Sequence, residues 1–256
     1  MAAPAVTPKI FVGIVLDFET GGLDCTTCAC TQIALQAVRL DTWQLLDRYA
    51  RYVAPYTREP LGGGPRRKVL RTRREQTLAL EAETMRYEQA ALDITGITLE
   101  QLRREGVDLK TVAAEVIAFT VRNTLTKGAQ YKPVLIGQNI PFDIGFLQQM
   151  MAYADLTKEF AQAFAGTVDF YGNFQPRYID TLDLGHMAFA RDPSVSSYKL
   201  ELIAERLGVE LADAHDADAD VTATREVAAL YAARLGCANG AVDIRQTEKT
   251  RSHFKI

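Results

Sequence analysis

The order of the apolar segments constrains the fold of this chain more than any other sequence feature. Residues 10–16 form a short run rich in valine and isoleucine, which is typical of a buried strand. Residues 32–40 and 44–54 predict two more strands, joined by a turn over 40–43. Beyond them, a strand at 134–137 alternates with segments of helical spacing, at 75–92, 109–126, 141–153, 181–191, 198–207 and 221–235. Strands first, then strands alternating with helices, predict a mixed α/β sheet flanked by helices.

The composition is that of an ordinary globular protein. The 256 residues are 48% hydrophobic and 24% charged, and no apolar run reaches the roughly 18 residues that a membrane-spanning helix needs. Residues 1–9 have neither the basic start nor the apolar core of a secretory signal. We therefore expect a cytoplasmic protein that does not enter membranes. We also expect one domain over residues 1–240, with a basic insertion around 57–77 and a polar tail over 241–256.

The charge balance bears on possible partners. Twenty-nine lysines and arginines stand against 32 acidic residues, for a formal net charge of -3. A histone-like, charge-driven nucleic-acid binder carries a broad positive field, so this balance argues against that class. It does not argue against an enzyme that handles nucleic acid at a local site.

Three of the four cysteines lie close together, at positions 25, 28 and 30. Thiolates at this spacing can ligate zinc, although a second ligand cluster is missing. The alternative is a loop that carries reduced thiols in a reducing compartment. Both interpretations stay open from the sequence.

Two carboxylates follow the first predicted strand, in the segment Asp17-Phe18-Glu19-Thr20-Gly21-Gly22. Side chains of a strand alternate between its faces, so Asp17 and Glu19 point to one side and Phe18 to the other. Two adjacent carboxylates repel each other unless a cation neutralises them, and Mg²⁺ or Mn²⁺ prefers such oxygen ligands. A surface turn with two solvated acids is the alternative.

Further acids occur in two later segments. Asp143 falls early in the helix predicted after residue 141, where the helix dipole favours an acid, and Asn139 is positioned to cap that helix. His215 lies among Asp213, Asp216, Asp218 and Asp220. A solvated helix start explains these acids but leaves the histidine unexplained.

Together these segments resemble the DEDDh family of 3′–5′ exonucleases, in the ribonuclease H-like superfamily. The family's D-x-E-T-x-G motif is matched by Asp17, Glu19, Thr20 and Gly22. Its second motif, an asparagine followed by F-D-x-x-F-L, is matched by Asn139, Phe142, Asp143, Phe146 and Leu147. Its third motif, a histidine five residues before an aspartate, is matched by His215 and Asp220. The resemblance implies a sheet of three antiparallel strands followed by parallel strands.

The resemblance also implies two-metal hydrolysis of phosphodiester bonds, with two divalent cations, Mg²⁺ or Mn²⁺. Asp17, Glu19 and Asp220 would hold the metals directly, and Asp143 directly or through a water. His215 would act as the general base. By the same resemblance, the 3′-terminal nucleotide would be bound by Thr20, Gly21, Leu23, Asn139 and Phe142.

Several substrates and partners fit this resemblance. Single-stranded DNA is favoured because the pattern is most similar to the proofreading-type branch of the family, and a DNA polymerase would then be a partner. RNA 3′-end trimming and oligoribonuclease activity are alternatives, as is a nucleic-acid-binding module that has lost catalysis. The sequence leaves open whether the protein is a monomer or a homodimer.

A basic segment departs from compact family members. Six of the nine residues from Arg66 to Arg74 are basic. They predict a flap that guides the nucleic-acid backbone toward an acidic site. A solvated charge run is the alternative.

Overall fold

The computed structural model describes residues 9–58, 84–211 and 215–236. Seven strands lie in these residues: β1 Val12–Thr20, β2 Cys30–Arg39, β3 Leu45–Tyr52, β4 Val134–Gly137, β5 Gly166–Val168, β6 Phe174–Pro176 and β7 Tyr178–Asp180. Five of them form one sheet in the order β3-β2-β1-β4-β7. The first three pair antiparallel, whereas β4 and β7 join in parallel. The predicted mixed sheet of three antiparallel strands followed by parallel strands is confirmed.

The helices cover both faces of this sheet. Within the described residues their bounds are α1 Gln89–Thr95, α2 Leu99–Glu105, α3 Leu109–Arg122, α4 Pro141–Tyr153, α5 Thr157–Ala163, α6 Thr181–Ala188, α7 Leu200–Leu207 and α8 Ala217–Gly236. Pro141 begins α4, as the sequence predicts, because a proline at the first helical position loses no intrahelical hydrogen bond. None of the described helices has the length and apolarity needed to cross a membrane.

Strand β1 divides the core into two layers. Ile14, Leu16 and Phe18 face one side and pack into the cluster that includes α3 and α4. Val15 faces the other side and packs against α8. This alternation is the period-two pattern of a strand that is buried on both faces. Asp17 and Glu19 share the parity of Val15, so they lie on the α8 side.

Strands β5 and β6 form a separate two-stranded hairpin. Asp169 organises its turn, since its carboxylate accepts hydrogen bonds from the backbone N–H groups of Tyr171 and Asn173, each at 2.9 Å. Phe170 and Tyr171 at the tip are 96% and 84% exposed. The hairpin joins the sheet through Ala165, which accepts from Arg177 and donates to Pro133, at the beginning of β4. It therefore starts from the end of β4 opposite to Gly137.

The structure corrects one predicted helix. The predicted helix over 75–92 does not hold for residues 84–88, which form bridges with Cys28 and Thr57 before α1 begins at Gln89. Residues 75–83 of that prediction lie outside the described residues. So do most of the predicted insertion at 57–77 and the whole predicted tail at 241–256. Thr57 and Thr84 pair in an antiparallel bridge.

Candidate active site

Strand β1 carries two of the predicted acids beyond the end of its parallel partner. Its pairing with β4 ends at Val15 and Ile136, whereas pairing with β2 continues to Glu19 and beyond. Glu19 is 8% exposed, and Asp17 is partly buried. Beyond Val15, β1 has no pairing with β4, and both acids lie in this stretch of β1. This is the carboxyl end of a parallel strand, where ligand sites of open α/β sheets usually form.

Asp143 reaches this stretch of β1 from helix α4, on the other face of the sheet. It lies in the first turn of α4 and is 3% exposed. Its Oδ1 accepts a hydrogen bond of 2.9 Å from the backbone N–H of Phe18, which lies between Asp17 and Glu19. This contact ties the start of α4 to the strand that carries the other two acids.

The loop before α8 and the first turn of that helix bring in His215 and Asp220. Asp220 Oδ2 accepts from the backbone N–H of His215 at 3.3 Å. His215 has a left-handed backbone, with φ of 71°, which is uncommon for a residue other than glycine. Its Nε2 lies 4.0 Å from Oε1 of Glu201 on α7. Glu19, His215 and Asp220 each offer one possible metal-ligand atom, and these three atoms lie within 4.8 Å of one another. The structure thus unites segments that are about 200 residues apart.

Burial and mutual repulsion raise the pKa of every carboxyl in this cluster. Burial, followed by the charges of Asp220 and Asp216, raises the pKa of Asp17 to about 8. Burial and then the Asp17 charge raise the pKa of Glu19 to about 9. Burial and then Asp17 also raise the pKa of Asp143. Burial raises the pKa of Asp220 to about 6, although its contacts with His215 act in the opposite direction.

These residues fit a divalent metal. Carboxylates that repel one another in a buried place are stabilised as anions by a cation among them. Oδ1 of Asp220 is buried and has no hydrogen-bond partner among the described residues, so one oxygen stays available as a ligand. Oxygen donors from several carboxylates are the ligand set that Mg²⁺ and Mn²⁺ prefer. His215 lies close enough to add a nitrogen ligand. The sequence resemblance implies only a general-base role for this histidine.

The turn after β1 places three residues of the predicted nucleotide site. The Thr20 hydroxyl donates to the carbonyl of Gly22 at 2.9 Å, and Leu23 is 84% exposed. Gly21 is hydrogen-bonded to both Ala29 and Glu88 through its backbone. A Cβ at Gly21 would lie 2.8 Å from the Arg86 carbonyl oxygen. This glycine is therefore required by the close passage of residues 86–88.

Asn139 and Phe142 lie at the end of β4. The prediction that Asn139 caps α4 with its side chain is wrong, since Ile140 is the N-cap residue and no side chain caps the helix. Asn139 instead adopts a φ of 53° and is exposed, and its N–H donates to Asp180 Oδ1 at 2.9 Å. Phe142 is half-buried and packs its ring 5.1 Å from that of Phe146. Asp180 thus holds the backbone of a predicted substrate residue.

Within the ranges that the structure describes, the cysteines do not form a group of three ligands in reach of one ion. Cys30 is fully buried against Tyr56, and burial raises the pKa of its thiol to about 12. The Cys28 thiol is directed to Glu88 at 3.8 Å. Among the described residues, Glu19, His215 and Asp220 form the one cluster with three possible ligand atoms in reach of one ion. Cys237 lies outside these residues. A zinc role for Cys25, Cys28 and Cys30 is not supported.

Several residues that the sequence interpretation left unassigned also belong to this region. Gln32 and Asp216 contact each other beside the acids, and Asp180 supports Asn139. Asp216, which the sequence suggested to be solvated, is partly buried. No short motif marks these positions, although a glutamine inside an apolar strand such as β2 is a signal that a polar partner lies opposite.

Comparison with known families identifies the class of this protein. The family model described as RNase_T, exonuclease, matches residues 82–228. The chain therefore belongs to this exonuclease family, and its domain is of the DEDDh type in the ribonuclease H-like superfamily. The resemblance drawn from the three motifs is confirmed. Membership implies a nuclease that depends on divalent metal.

Solved structures show the same fold. A structure of exonuclease I matches with a TM-score of 0.60 and 20% identity, over 88% of this chain and 43% of that chain. The zinc-bound complex of E. coli exonuclease I with single-stranded DNA matches with a TM-score of 0.60 and 21% identity, over 88% and 41%. The E. coli exonuclease I complex with a dT13 oligonucleotide has a TM-score of 0.58 and 20% identity, over 86% and 40%. This chain thus spans less than half the length of these proteins.

Proposed function

We propose that this protein is a metal-dependent 3′–5′ exonuclease that hydrolyses phosphodiester bonds of single-stranded DNA and releases nucleoside monophosphates. The convergence of the five residues Asp17, Glu19, Asp143, His215 and Asp220 at the end of β1 supports this proposal most directly. A module that had lost catalysis would be expected to lack at least one of the five. The complete set favours an active enzyme.

The residue roles follow from their positions. Asp17, Glu19 and Asp220 would hold two divalent cations directly, and Asp143 would do so directly or through a water. When bound, such cations lower the pKa of a water and stabilise the oxygen that leaves the phosphorus. His215 would accept a proton from the attacking water, because its side chain is exposed beside the acids and imidazole is the side chain that most often serves as a general base. Asp143 would also fix the strand end by accepting from Phe18.

A single-stranded DNA substrate is favoured by two observations. Solved relatives of this fold are complexes with single-stranded DNA and with dT13. In this chain, Leu23 presents an exposed apolar side chain in the turn that follows β1, suited to packing on a terminal base. Thr20 and Gly21 would bind the sugar and phosphate, and Asn139 and Phe142 would shape the other side of the pocket. RNA and short oligoribonucleotides are the competing substrates.

A time course on end-labelled polymers tests this function. DNA and RNA of one sequence, labelled at the 5′ end, are incubated with Mg²⁺, Mn²⁺ or a chelator. We expect a ladder that shortens from the 3′ end of DNA and that the chelator stops. Asp17→Ala and Asp143→Ala should abolish it. Asp218→Ala is a matched control, because Asp218 is a partly exposed acid of α8 that pairs with Arg48 and is not one of the five proposed catalytic residues.

Each outcome separates one part of the proposal. Shortening of RNA alone would replace DNA as the substrate. Indifference to a blocked 3′ terminus would indicate an endonuclease, and no metal-dependent shortening of either polymer would refute the enzyme. A proofreading role in DNA repair, with a DNA polymerase as partner, is tested separately by co-purification with a polymerase from cytoplasmic extract. Light scattering on the purified protein would decide between monomer and homodimer.

A further inference from the structure

Two glutamines are buried on one face of β2. Gln32 is 6% exposed and Gln36 is fully buried. They are four residues apart on one strand, so their side chains point to the same face. Both amides donate to α8: Gln32 to Asp216 just before the helix, and Gln36 to Thr222 within it. Burying an amide costs free energy unless it is hydrogen-bonded, so these contacts fix how α8 lies on the sheet.

Gln32 makes two contacts at the start of α8. Its Nε2 donates to Asp216 Oδ1 at 2.7 Å, and its Oε1 accepts from the backbone N–H of Ala217 at 3.3 Å. One amide group therefore holds both a side chain and a backbone group of the same turn. In the β1–β2 register, Gln32 lies directly opposite Glu19. The contacts thus join the strand position beside one predicted metal ligand to the turn that carries His215 and Asp220.

The turn that Gln32 holds contains a residue in a left-handed backbone conformation. His215 keeps its left-handed backbone one residue before Asp216, and such a conformation persists where surrounding contacts impose it. The Asp216 carbonyl accepts from the N–H of Asp220 at 2.9 Å. Asp216 is therefore hydrogen-bonded to Gln32 through its side chain and to Asp220 through its backbone. The described partners of His215 are the Asp220 carboxylate and Glu201, both beside the site.

We propose that Gln32 is a positioning residue for the reaction, which sets His215 and Asp220 against Asp17 and Glu19 through Asp216 and Ala217. This inference rests on the proposed exonuclease function, and it adds a residue outside the five motif positions. Gln36 provides the contrast. It makes one bond to the Thr222 hydroxyl at 2.7 Å, and its own Oε1 has no partner in the described part of the chain. It therefore holds the body of α8 and not the turn at the site.

Methionine replaces either glutamine with a similar length and shape but without hydrogen bonds, so Gln32→Met and Gln36→Met form a matched pair. Misplacing a catalytic group by about 1 Å can cost about 100-fold in rate. We expect Gln32→Met to lower kcat about 10-fold or more while KM changes less than about twofold, because the substrate contacts at Thr20 and Leu23 are untouched. Gln36→Met should keep kcat within about twofold of wild type.

A second measurement does not depend on activity. The melting temperature, Tm, is followed as MnCl₂ is added to the metal-free protein. Gln32→Met should reduce the Mn²⁺-induced rise in Tm, because Asp220 is held less firmly, and Gln36→Met should leave that rise unchanged. If the wild type degraded neither DNA nor RNA, the exonuclease function would fail, and the Mn²⁺ titration would still test Gln32.

Equal loss of kcat in both methionine variants, in proportion to their loss of Tm, would reduce Gln32 to a packing role and overturn the proposal. So would an unchanged kcat and an unchanged Mn²⁺ response in Gln32→Met. A double-mutant cycle with Asp216→Ala tests the route. Gln32→Met should cost clearly less kcat in the Asp216→Ala background than in wild type, and fully additive effects would contradict positioning through Asp216.

Discussion

Glu19 is a buried carboxylate whose pKa is strongly raised, and it is one of the proposed metal ligands. Its pKa rises from an ordinary 4.5 to about 9 in the folded protein, because it is buried beside Asp17. Above pH 4.5 the unfolded chain releases this proton while the folded protein keeps it. The unfolded state then binds fewer protons, so the free energy of unfolding of the metal-free protein decreases as pH rises toward about 9.

We therefore expect the Tm of the chelator-treated protein to fall between pH 5 and pH 8, and Mg²⁺ to raise Tm more at pH 8 than at pH 5. Glu19→Gln should abolish nuclease activity, reduce this pH dependence, to which Asp17 and Asp143 also contribute, and weaken the Mg²⁺ effect. Differential scanning fluorimetry with chelator or MgCl₂ measures the pH dependence and the Mg²⁺ effect, and the end-labelled DNA assay measures the activity. Glu100→Gln, at an exposed position of α2, is the control and should behave as wild type. A Glu19→Gln protein that kept the wild-type pH dependence would show that another group causes it.

His215 gives a second prediction at the residue scale. Its replacement by alanine removes the proposed general base and leaves the four carboxylates in place. We expect kcat to fall by about 10²- to 10⁴-fold with a smaller change in KM. His186→Ala is the control, since His186 is exposed on α6 and packs against Tyr198. A kcat within about threefold of wild type would assign the proton transfer to another group.

The sequence predicts the five charged site residues because each belongs to a short motif and lies at an element boundary. The residues that position them were missed for a physical reason. Gln32 looks like a tolerated polar residue in a strand until α8 is known to lie opposite it. Asp180 is recognisable as a residue at a strand end, but its bond to Asn139 depends on how β4 and β7 align.

At the scale of elements, Asp180 couples α6 to the loop before α4. Its Oδ1 caps α6 by accepting from Leu182 and also accepts from Asn139, each at 2.9 Å. Asp180→Ala should cost about 1–2 kcal/mol of stability through the lost cap. It should also raise KM at least about threefold, because the Asn139 backbone is released. Urea unfolding and steady-state kinetics measure the two effects.

Two variants sharpen the Asp180 test. Asp180→Asn keeps an acceptor oxygen and should recover most of the loss in both quantities. Asp183→Ala changes an exposed acid in the same first turn and should alter neither. A loss of stability without a change in KM would limit Asp180 to capping α6. It would show that the hydrogen bond from Asn139 does not affect substrate binding.

Long elements with a regular pattern are predicted well, and the shorter ones are not. Helix α4 has its predicted bounds because Pro141 fixes its start and its residues stay apolar and largely buried along its length. The predicted helix at 84–88 fails because these residues are held by backbone bonds to Thr27, Tyr56 and Gly21. Tertiary hydrogen bonds of this kind override a weak helical preference. Helix α5 and the β5–β6 hairpin, with only three residues in each strand, have too few positions to reveal a period.

At the scale of the whole molecule, the basic segment Arg66 to Arg74 is a proposed guide for the nucleic-acid backbone. Replacing Arg66, Arg67, Arg71, Arg73 and Arg74 with serine should raise KM for long single-stranded DNA and weaken its salt dependence, since fewer phosphates are neutralised. Tm is measured alongside, to show that the variant is folded. Activity at different salt concentrations, on a long strand and on a dinucleotide, measures the effect. Unchanged KM and salt dependence would indicate a solvated charge run.

The position of α8 in the chain has a consequence for protein synthesis. Strands β1, β2 and β3 leave the ribosome early, and α4 with Asp143 follows, but His215 and Asp220 come with the last described helix. A nascent chain can therefore form its sheet while the catalytic set is incomplete. The proposed metal site is therefore completed only when nearly all of the described residues have been translated, so activity that depends on it is confined to the nearly finished domain.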